Sequence, residues 1–561
     1  MSTPIISFKD FSFRYQSQQK PTLENITLDI FPGEKILILG ASGSGKSTLG
    51  NCINGLIPNQ YKGEISGTCQ IKGKNLQTYS IFELSKTVGS VLQDSDAQFV
   101  GLSVGEDIAF ALENQNMPRP QMKPLVLQSA ERVGVAHQLT TLPYSLSGGQ
   151  KQRVSVAGIL HEDIEVLLLD EPLAALDPHM GQVMIELIDG LNAHEQQTVI
   201  IIEHRFEEVL HRHIDRVILM DKGQIVTVMS PDELLASNLL VEYGIREPLY
   251  ISAIKRMLGG LQQTTGLASL QTIDWQPYHY EGQPDRRTEQ VRQQEQAPII
   301  ELKGIVFGYE DKPFIQIDEL TIHQGERIAI LGENGSGKTT LAKLLTGVIR
   351  PQQGEIIRQG NPTTIQEIAQ TIGYVMQNPN QMLVTANVFD EVALALRLRN
   401  VPEAEIQERV AKVLKITGLY TMRNWPISAL SYGQKKRLSV AVVLVLEPAC
   451  LILDEPTAGQ DYAHYREMMN FVDRLNQEHH ITIIFITHDM HLALEYTDRG
   501  LVMERGGIIA DRAIFDVLDD DVLIERASLK KTSIFEVARQ LNQPIDAFVK
   551  AFIEQESEID E

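Results

Sequence analysis

Cysteine is scarce. The 561 residues hold three, Cys52, Cys69 and Cys450, with no CxxC pair, so the chain offers neither a disulfide framework nor a cysteine-based zinc site. Basic charge is also in deficit: 50 Lys and Arg stand against 73 Asp and Glu, a formal charge of −23. That balance disfavours general affinity for a polyanion, and no nucleic-acid partner is expected. Long apolar runs are missing too. The longest, such as Val440 to Leu446, fall well short of the roughly 18 to 20 residues needed to span a bilayer. The opening MSTPIISFKD lacks the basic-then-apolar order of a signal peptide. The expectation is a chain that is neither secreted nor membrane-spanning and that sits in a reducing cytosol. At 43% hydrophobic residues it can bury several cores, about three or four units at usual domain sizes.

What the chain does contain is a repeat. GASGSGKST begins at Gly40 and GENGSGKTT at Gly332; SLSGGQKQRVSVA begins at Ser145 and ALSYGQKKRLSVA at Ala429. Gln93 and Gln377, Ser147 and Ser431, Asp170 and Asp454, and His204 and His488 are each 284 apart, whereas Lys46 and Lys338 are 292 apart. Two copies of one module therefore keep a constant register after an insertion of eight residues in the first copy. Gln262 to Pro298 holds nine glutamines and no sustained apolar period, which reads as a linker. The expected division is a first module over 5–246, a Gln-rich linker over 247–298, a second module over 299–530 and a short helical acidic tail over 531–561. In that tail IFEVARQL and IDAFVKAFIEQ are spaced for short amphipathic helices.

The strand-like runs ILILG at Ile36 and IAILG at Ile328 lead straight into GxxxxGK[ST] and an apolar helix, the setting a phosphate-binding loop needs. The first loop comprises Gly40, Ala41, Ser42, Gly43, Ser44, Gly45, Lys46, Ser47 and Thr48. The second comprises Gly332, Glu333, Asn334, Gly335, Ser336, Gly337, Lys338, Thr339 and Thr340. Backbone N–H groups converge on phosphates at a helix N-terminus, Lys46 or Lys338 adds a point charge, and Ser47 or Thr339 reaches Mg²⁺. VLLLDEP and LILDEP read as buried strands ending in paired carboxylates. Adjacent strand side chains point to opposite faces, so the two acids divide the work: Asp170 and Asp454 toward Mg²⁺, Glu171 and Glu455 toward an attacking water as general base.

LSGGQ at Leu146 and LSYGQ at Leu430 resemble the signature of ATP-binding-cassette ATPases, and the resemblance covers nearly the whole chain outside linker and tail. It implies an α/β fold of two tandem P-loop cassette domains, each a RecA-like core with an antiparallel β subdomain and a helical signature subdomain. It implies ATP and Mg²⁺ as cofactors and an intramolecular pseudo-dimer in which each signature closes over nucleotide held by the other module. Lys46 would then share a site with Ser431, Gly433 and Gln434, and Lys338 with Ser147, Gly148, Gly149 and Gln150. Tyr432 departs from the pattern by replacing a glycine, and a side chain there is expected to slow the Lys46 site. By the same resemblance Gln93 and Gln377 touch Mg²⁺ and the water, His204 and His488 meet the γ-phosphate, and Tyr15 and Tyr309 stack on adenine.

The segments QDSDAQFVGLSVGEDIAFALEN from Gln93 and QNPNQMLVTANVFDEVALALRL from Gln377, with DEPTAGQD from Asp454, resemble double-length ATPases of energy-coupling factor importers of vitamins and metal ions. That resemblance implies a peripheral subunit on the cytoplasmic face of the cell membrane, partnered by a membrane scaffold protein and a substrate-binding membrane protein. Gln98 to Asn114 and Met382 to Asn400 would receive the scaffold. LAALD before Pro178 and EHR around His204 are departures in the first copy. The alternative is a tandem cassette ATPase acting on ribosomes, whose linker would carry basic residues toward RNA. Ile245 to Pro298 instead holds six Lys/Arg and six Asp/Glu.

Overall fold

The computed structural model describes residues 3–92, 98–160, 164–174, 176–280, 297–309, 312–359, 361, 364–457 and 460–558. The chain divides into two compact units, one of residues Met1–Glu281 with Arg539–Asn542, the other of Gly282–Ala538 with Gln543–Glu561.

In the first unit β1 (Ile6–Tyr15) and β2 (Leu23–Ile30) alternate apolar and polar residues, the pattern of strands with one buried face. By contrast β3 (Lys35–Gly40) is buried at every position, as a central parallel strand covered on both faces must be. The remaining strands are β4 (Gly63–Ile71), β5 (Lys74–Asn75), β6 (Val88–Val91), β7 (Val166–Asp170), β8 (Thr198–Ile202), β9 (Arg216–Asp221) and β10 (Gln224–Met229). They form a four-stranded antiparallel sheet in the order β2-β1-β4-β5 and a six-stranded sheet in the order β10-β9-β3-β8-β7-β6. Phe8, Phe11 and Phe13 of the first sheet pack with Ile36, Ile38, Leu168, Ile200 and Ile202 of the second in one core. Between β6 and β7 the chain leaves to build the helices Val104–Asn114, Arg119–Arg132 and Gly148–Ile159.

The second unit repeats this plan with β11 (Pro298–Phe307), β12 (Ile315–His323), β13 (Arg327–Leu331), β14 (Gln353–Arg358), β15 (Ile372–Val375), β16 (Cys450–Asp454), β17 (Thr482–Ile486), β18 (Arg499–Glu504) and β19 (Gly507–Ala513). The sheets run β12-β11-β14 and β15-β16-β17-β13-β18-β19. Along β16, Cys450 and Ile452 join the core against the antiparallel sheet, while Leu451 and Leu453 join the core against the helices. Period-two alternation here separates two apolar faces rather than an apolar face from a wet one. The eight extra residues of the first module fall before Ser80, which caps its helix as Thr364, 284 residues on, caps its own. They lengthen the β4 and β5 region of the antiparallel sheet, where the second unit has the shorter β14.

Part of the stretch expected as linker over 247–298 is folded. The helix Leu249–Met257 buries Leu249, Tyr250, Ile251, Ala253 and Ile254. The irregular segment after it returns to the same surface: Tyr250 Oη donates to Leu267 O at 2.9 Å, and Asp232 accepts from Gly266 N and Ala268 N at 2.6 and 2.8 Å. Leu267 and Tyr278 are buried. A few apolar anchors spaced irregularly leave no period to read, and exposed polar residues such as Gln262, Gln271 and Gln276 lie between them. Beyond, 281–296 lie outside the described residues.

The 284-residue register also runs on into this region. Helix Ser533–Gln540 in the tail matches Leu249–Met257, and its buried Ile534, Phe535, Val537 and Ala538 match Tyr250, Ile251, Ala253 and Ile254. Each unit thus ends in the same small helical annex. A longer helix, Ile545–Glu558, follows in the second unit.

Candidate functional site

The carboxyl ends of β3, β7 and β8 lie side by side in the first sheet, and those of β13, β16 and β17 in the second. That edge is where parallel α/β sheets take ligands. From β3 the chain enters the glycine-rich loop, and Gly45, at φ 101°, starts the helix Lys46–Ile53; Gly337, at φ 107°, does the same for Lys338–Leu345. A Cβ on Gly45 would come within 3.1 Å of Thr22 O, and one on Gly337 within 2.6 Å of Ile315 Cδ1. Both turns therefore need glycine. The buried lysines fold back over their loops: Lys46 Nζ donates to Gly40 O at 2.7 Å and Ala41 O at 2.9 Å, and Lys338 Nζ to Gly332 O and Glu333 O, both at 2.8 Å.

At the end of β7, Asp170 Oδ1 accepts from Ser47 Oγ at 3.4 Å; at the end of β16, Asp454 Oδ2 accepts from Thr339 Oγ1 at 3.2 Å. One hydroxyl and one carboxylate, both hard oxygen ligands, are the donor set a magnesium ion takes from protein. Burial first, and then the neighbouring Glu171, pushes the Asp170 carboxyl up to about 6. Burial likewise raises that of Asp454. In the second loop Ser336 Oγ is buried with no hydrogen-bond partner. A desolvated carboxylate relieved by a cation and a stranded hydroxyl beside the loop both fit a bound phosphate and its metal ion.

Glu171 and Glu455 follow in left-handed backbone, φ 50° and 46°, a conformation uncommon for a non-glycine residue. Their amides are held alike, by Ile202 O at 2.8 Å and Ile486 O at 2.9 Å. The resulting kink turns each carboxylate to its histidine: His204 Nε2 lies 3.1 Å from Glu171 Oε1, and His488 Nδ1 lies 2.7 Å from Glu455 Oε1. Tyr15 Oη and Tyr309 Oη lie 3.3 and 3.2 Å from Thr48 Oγ1 and Thr340 Oγ1, so both aromatic rings stand beside the loop helix. Tyr309 is the more open, 62% exposed.

Gln93 lies outside the described residues, and Gln377 is exposed two positions past the end of β15. Ser147 and Ser431 cap the helices Gly148–Ile159 and Tyr432–Leu444, with Gln150 and Gln434 completing reciprocal capping boxes. The S-x-x-Q spacing carries that structural signal in the sequence. Tyr432 opens its helix partly exposed.

Three residues to which the sequence assigned no role adjoin these groups. Tyr374 Oη donates to Asp454 Oδ2 at 2.8 Å. Buried Glu203 accepts from Leu173 N, His204 N and Arg205 N, tying together the turns after β7 and β8. Lys436 Nζ donates to Glu455 O at 2.9 Å. The register would have aligned them with Ser90, Thr487 and Gln152, but residues that differ between the copies carry no repeat signal.

Among the described residues no helix is long and apolar enough to cross a membrane. The ABC transporter family model matches residues 23–174 and 315–458. A second model, described as ATP-binding cassette cobalt transporter, matches 237–307. Proteins named as ABC transporter ATP-binding proteins align over all of this chain and all of their own length in Lactiplantibacillus plantarum, at 49% identity, and in Enterococcus faecalis, at 50%. One in Clostridium perfringens aligns at 49% over 98% of each. A solved structure titled cbiO1 from Clostridium perfringens, part of the ABC transporter complex cbiONQ, is 34% identical and spans 44% of this chain and 96% of that one at TM-score 0.39. With both modules matched and relatives aligned from end to end, the chain belongs to the ABC transporter ATP-binding proteins and is a two-cassette ATPase.

Proposed function

We propose that this chain powers an energy-coupling factor type importer of a metal ion or vitamin, and that each cassette holds MgATP. The observation that carries the importer reading is the cobalt-transporter family match over 237–307, which falls on the annex after the first cassette rather than on the general ATPase motifs. Lys46 and Lys338, with Gly40 to Thr48 and Gly332 to Thr340 around them, bind the phosphates; Tyr15 and Tyr309 receive adenine. Asp170 with Ser47, and Asp454 with Thr339, hold Mg²⁺ with Gln93 and Gln377; the bound ion would neutralise charge on the transferred phosphoryl group. Glu171 and Glu455 take the proton of the attacking water, and His204 and His488, hydrogen-bonded to those carboxylates, fix their direction.

Under this reading the two cassettes pair, Ser147, Gly148, Gly149 and Gln150 serving the Lys338 site and Ser431, Gly433 and Gln434 the Lys46 site. A membrane scaffold and a substrate-binding membrane protein are the partners, and the chain sits peripherally on the cytoplasmic face. Exposed Val100, Leu102 and Phe110 in the first cassette, with Val384 and Leu398 in the second, support a docking role for Gln98 to Asn114 and Met382 to Asn400. Action on ribosomes finds no support, since the named relatives are transporter proteins.

The test is Glu171→Gln combined with Glu455→Gln. ATP turnover should be lost while nucleotide affinity stays, because the base is removed and the phosphate loops are untouched. Turnover that survives in the double variant would remove both glutamates from this role.

A further inference from the structure

Lys436 lies on the helix Tyr432–Leu444, five residues after its cap Ser431. Its side chain is completely buried, 0% exposed, and its ammonium donates to Glu455 O at 2.9 Å. No carboxylate within ion-pair distance is found for it among the described residues. A buried ammonium without a close ion pair costs stability rather than adding it, and burial pulls this one down to about 8 against the opposing attraction of the Glu455 and Asp454 charges. The fold does not require it: at the matching position of the first unit stands Gln152, equally buried, with its Oε1 unpartnered. The carbonyl that Lys436 holds belongs to the left-handed residue whose carboxylate meets His488 at 2.7 Å. Glu455 is thus held at two ends, its carboxylate by His488 and its backbone by Lys436.

We infer that Lys436 is a positioning residue for hydrolysis, fixing the strained Glu455 turn to the helix that begins with the Ser431 signature. The inference rests on Glu455 being the general base of its site. Because one rigid helix carries both Ser431 and Lys436, a displacement of the signature turn reaches the carboxylate of Glu455 through a single side chain.

Lys436→Met in the full-length chain tests the role, with kcat, KM for ATP and melting temperature read together. The expected result is a kcat about tenfold lower, with KM changed less than about twofold, since the interaction serves the transition state and not ground-state binding. The melting temperature stays or rises, as removal of a buried charge predicts. Should Met fail to fold there, Lys436→Gln supplies the residue that the first unit already accommodates. A kcat near that of the parent overturns the inference. So does a kcat loss that follows a falling melting temperature, which makes Lys436 a packing residue, and so does an additional single-turnover loss in a Glu455→Gln background. If Glu455→Gln itself leaves hydrolysis intact, the failure lies in the reading of Glu455 as base.

Discussion

Asp170 and Asp454 end matching strands but keep different company. Asp454 shares one oxygen between Tyr374 and Thr339, whereas Ser90, in the place of Tyr374, leaves its buried Oγ without a partner. Each aspartate feels the glutamate that follows it, but Asp170 has Glu203 near it as well, and its carboxyl is pushed up to about 6, by burial first and then by the Glu171 and Glu203 charges. Between 3.8 and about 6 the unfolded chain has released a proton that the folded chain still holds. The stability from this group is therefore complete below pH 3.8 and is lost as the pH rises through 6. Asp170→Asn should stabilise the metal-free protein at pH 8 by at most about 3 kcal/mol, with the gain shrinking as the pH is lowered through 6 to 5. Thermal unfolding of parent and variant at the two pH values checks this, and a gain that grows on acidification would refute it. The glycine loops and the paired acids were legible because chemistry fixes both residue type and spacing. Lys436 and Tyr374 were not, because a side chain that reaches a site from another element leaves no mark in local sequence.

At the level of elements, β3, β7 and β8 and their second-unit counterparts stood out as short apolar runs, which strands buried on both faces must be. The annex did not. Only its helix Leu249–Met257 has a period, and the stretch beyond it is held by single hydrogen bonds, such as those to Asp232 and from Tyr250. Tyr250→Phe should therefore cost about 1 to 2 kcal/mol, the usual penalty for stranding a buried carbonyl, and open 258–280 to proteolysis while ATP binding persists. Limited proteolysis with unfolding of the full chain measures both; an unchanged cleavage pattern would return the segment to the status of linker. The annex backbone is also joined to the cassette near His204, for Leu249 N donates to Glu207 Oε2 at 2.8 Å on the short helix Phe206–Val209.

For the molecule as a whole, charge and hydropathy exclude more than they specify. No described helix is long and apolar enough to cross a bilayer, and the proposed transporter role has the chain held at the membrane by its protein partners. The native chain should sediment with membranes and be released by a high-salt or alkaline wash without detergent. Cells lacking the scaffold protein should yield it in the soluble fraction. Ribonuclease-sensitive sedimentation with ribosomes would overturn the transporter reading.

The repeat has one more consequence, for assembly. Two identical polypeptides brought together around a twofold axis must present the same residue at both equivalent places. Here a single translation product carries Gln152 and Lys436, Ser90 and Tyr374, Gly148 and Tyr432, one of each pair in every molecule. Any complex that takes up this chain receives the two differing halves in a fixed one-to-one ratio, without having to sort like from unlike. Each half is free to drift toward a separate task, because its counterpart is inherited with it.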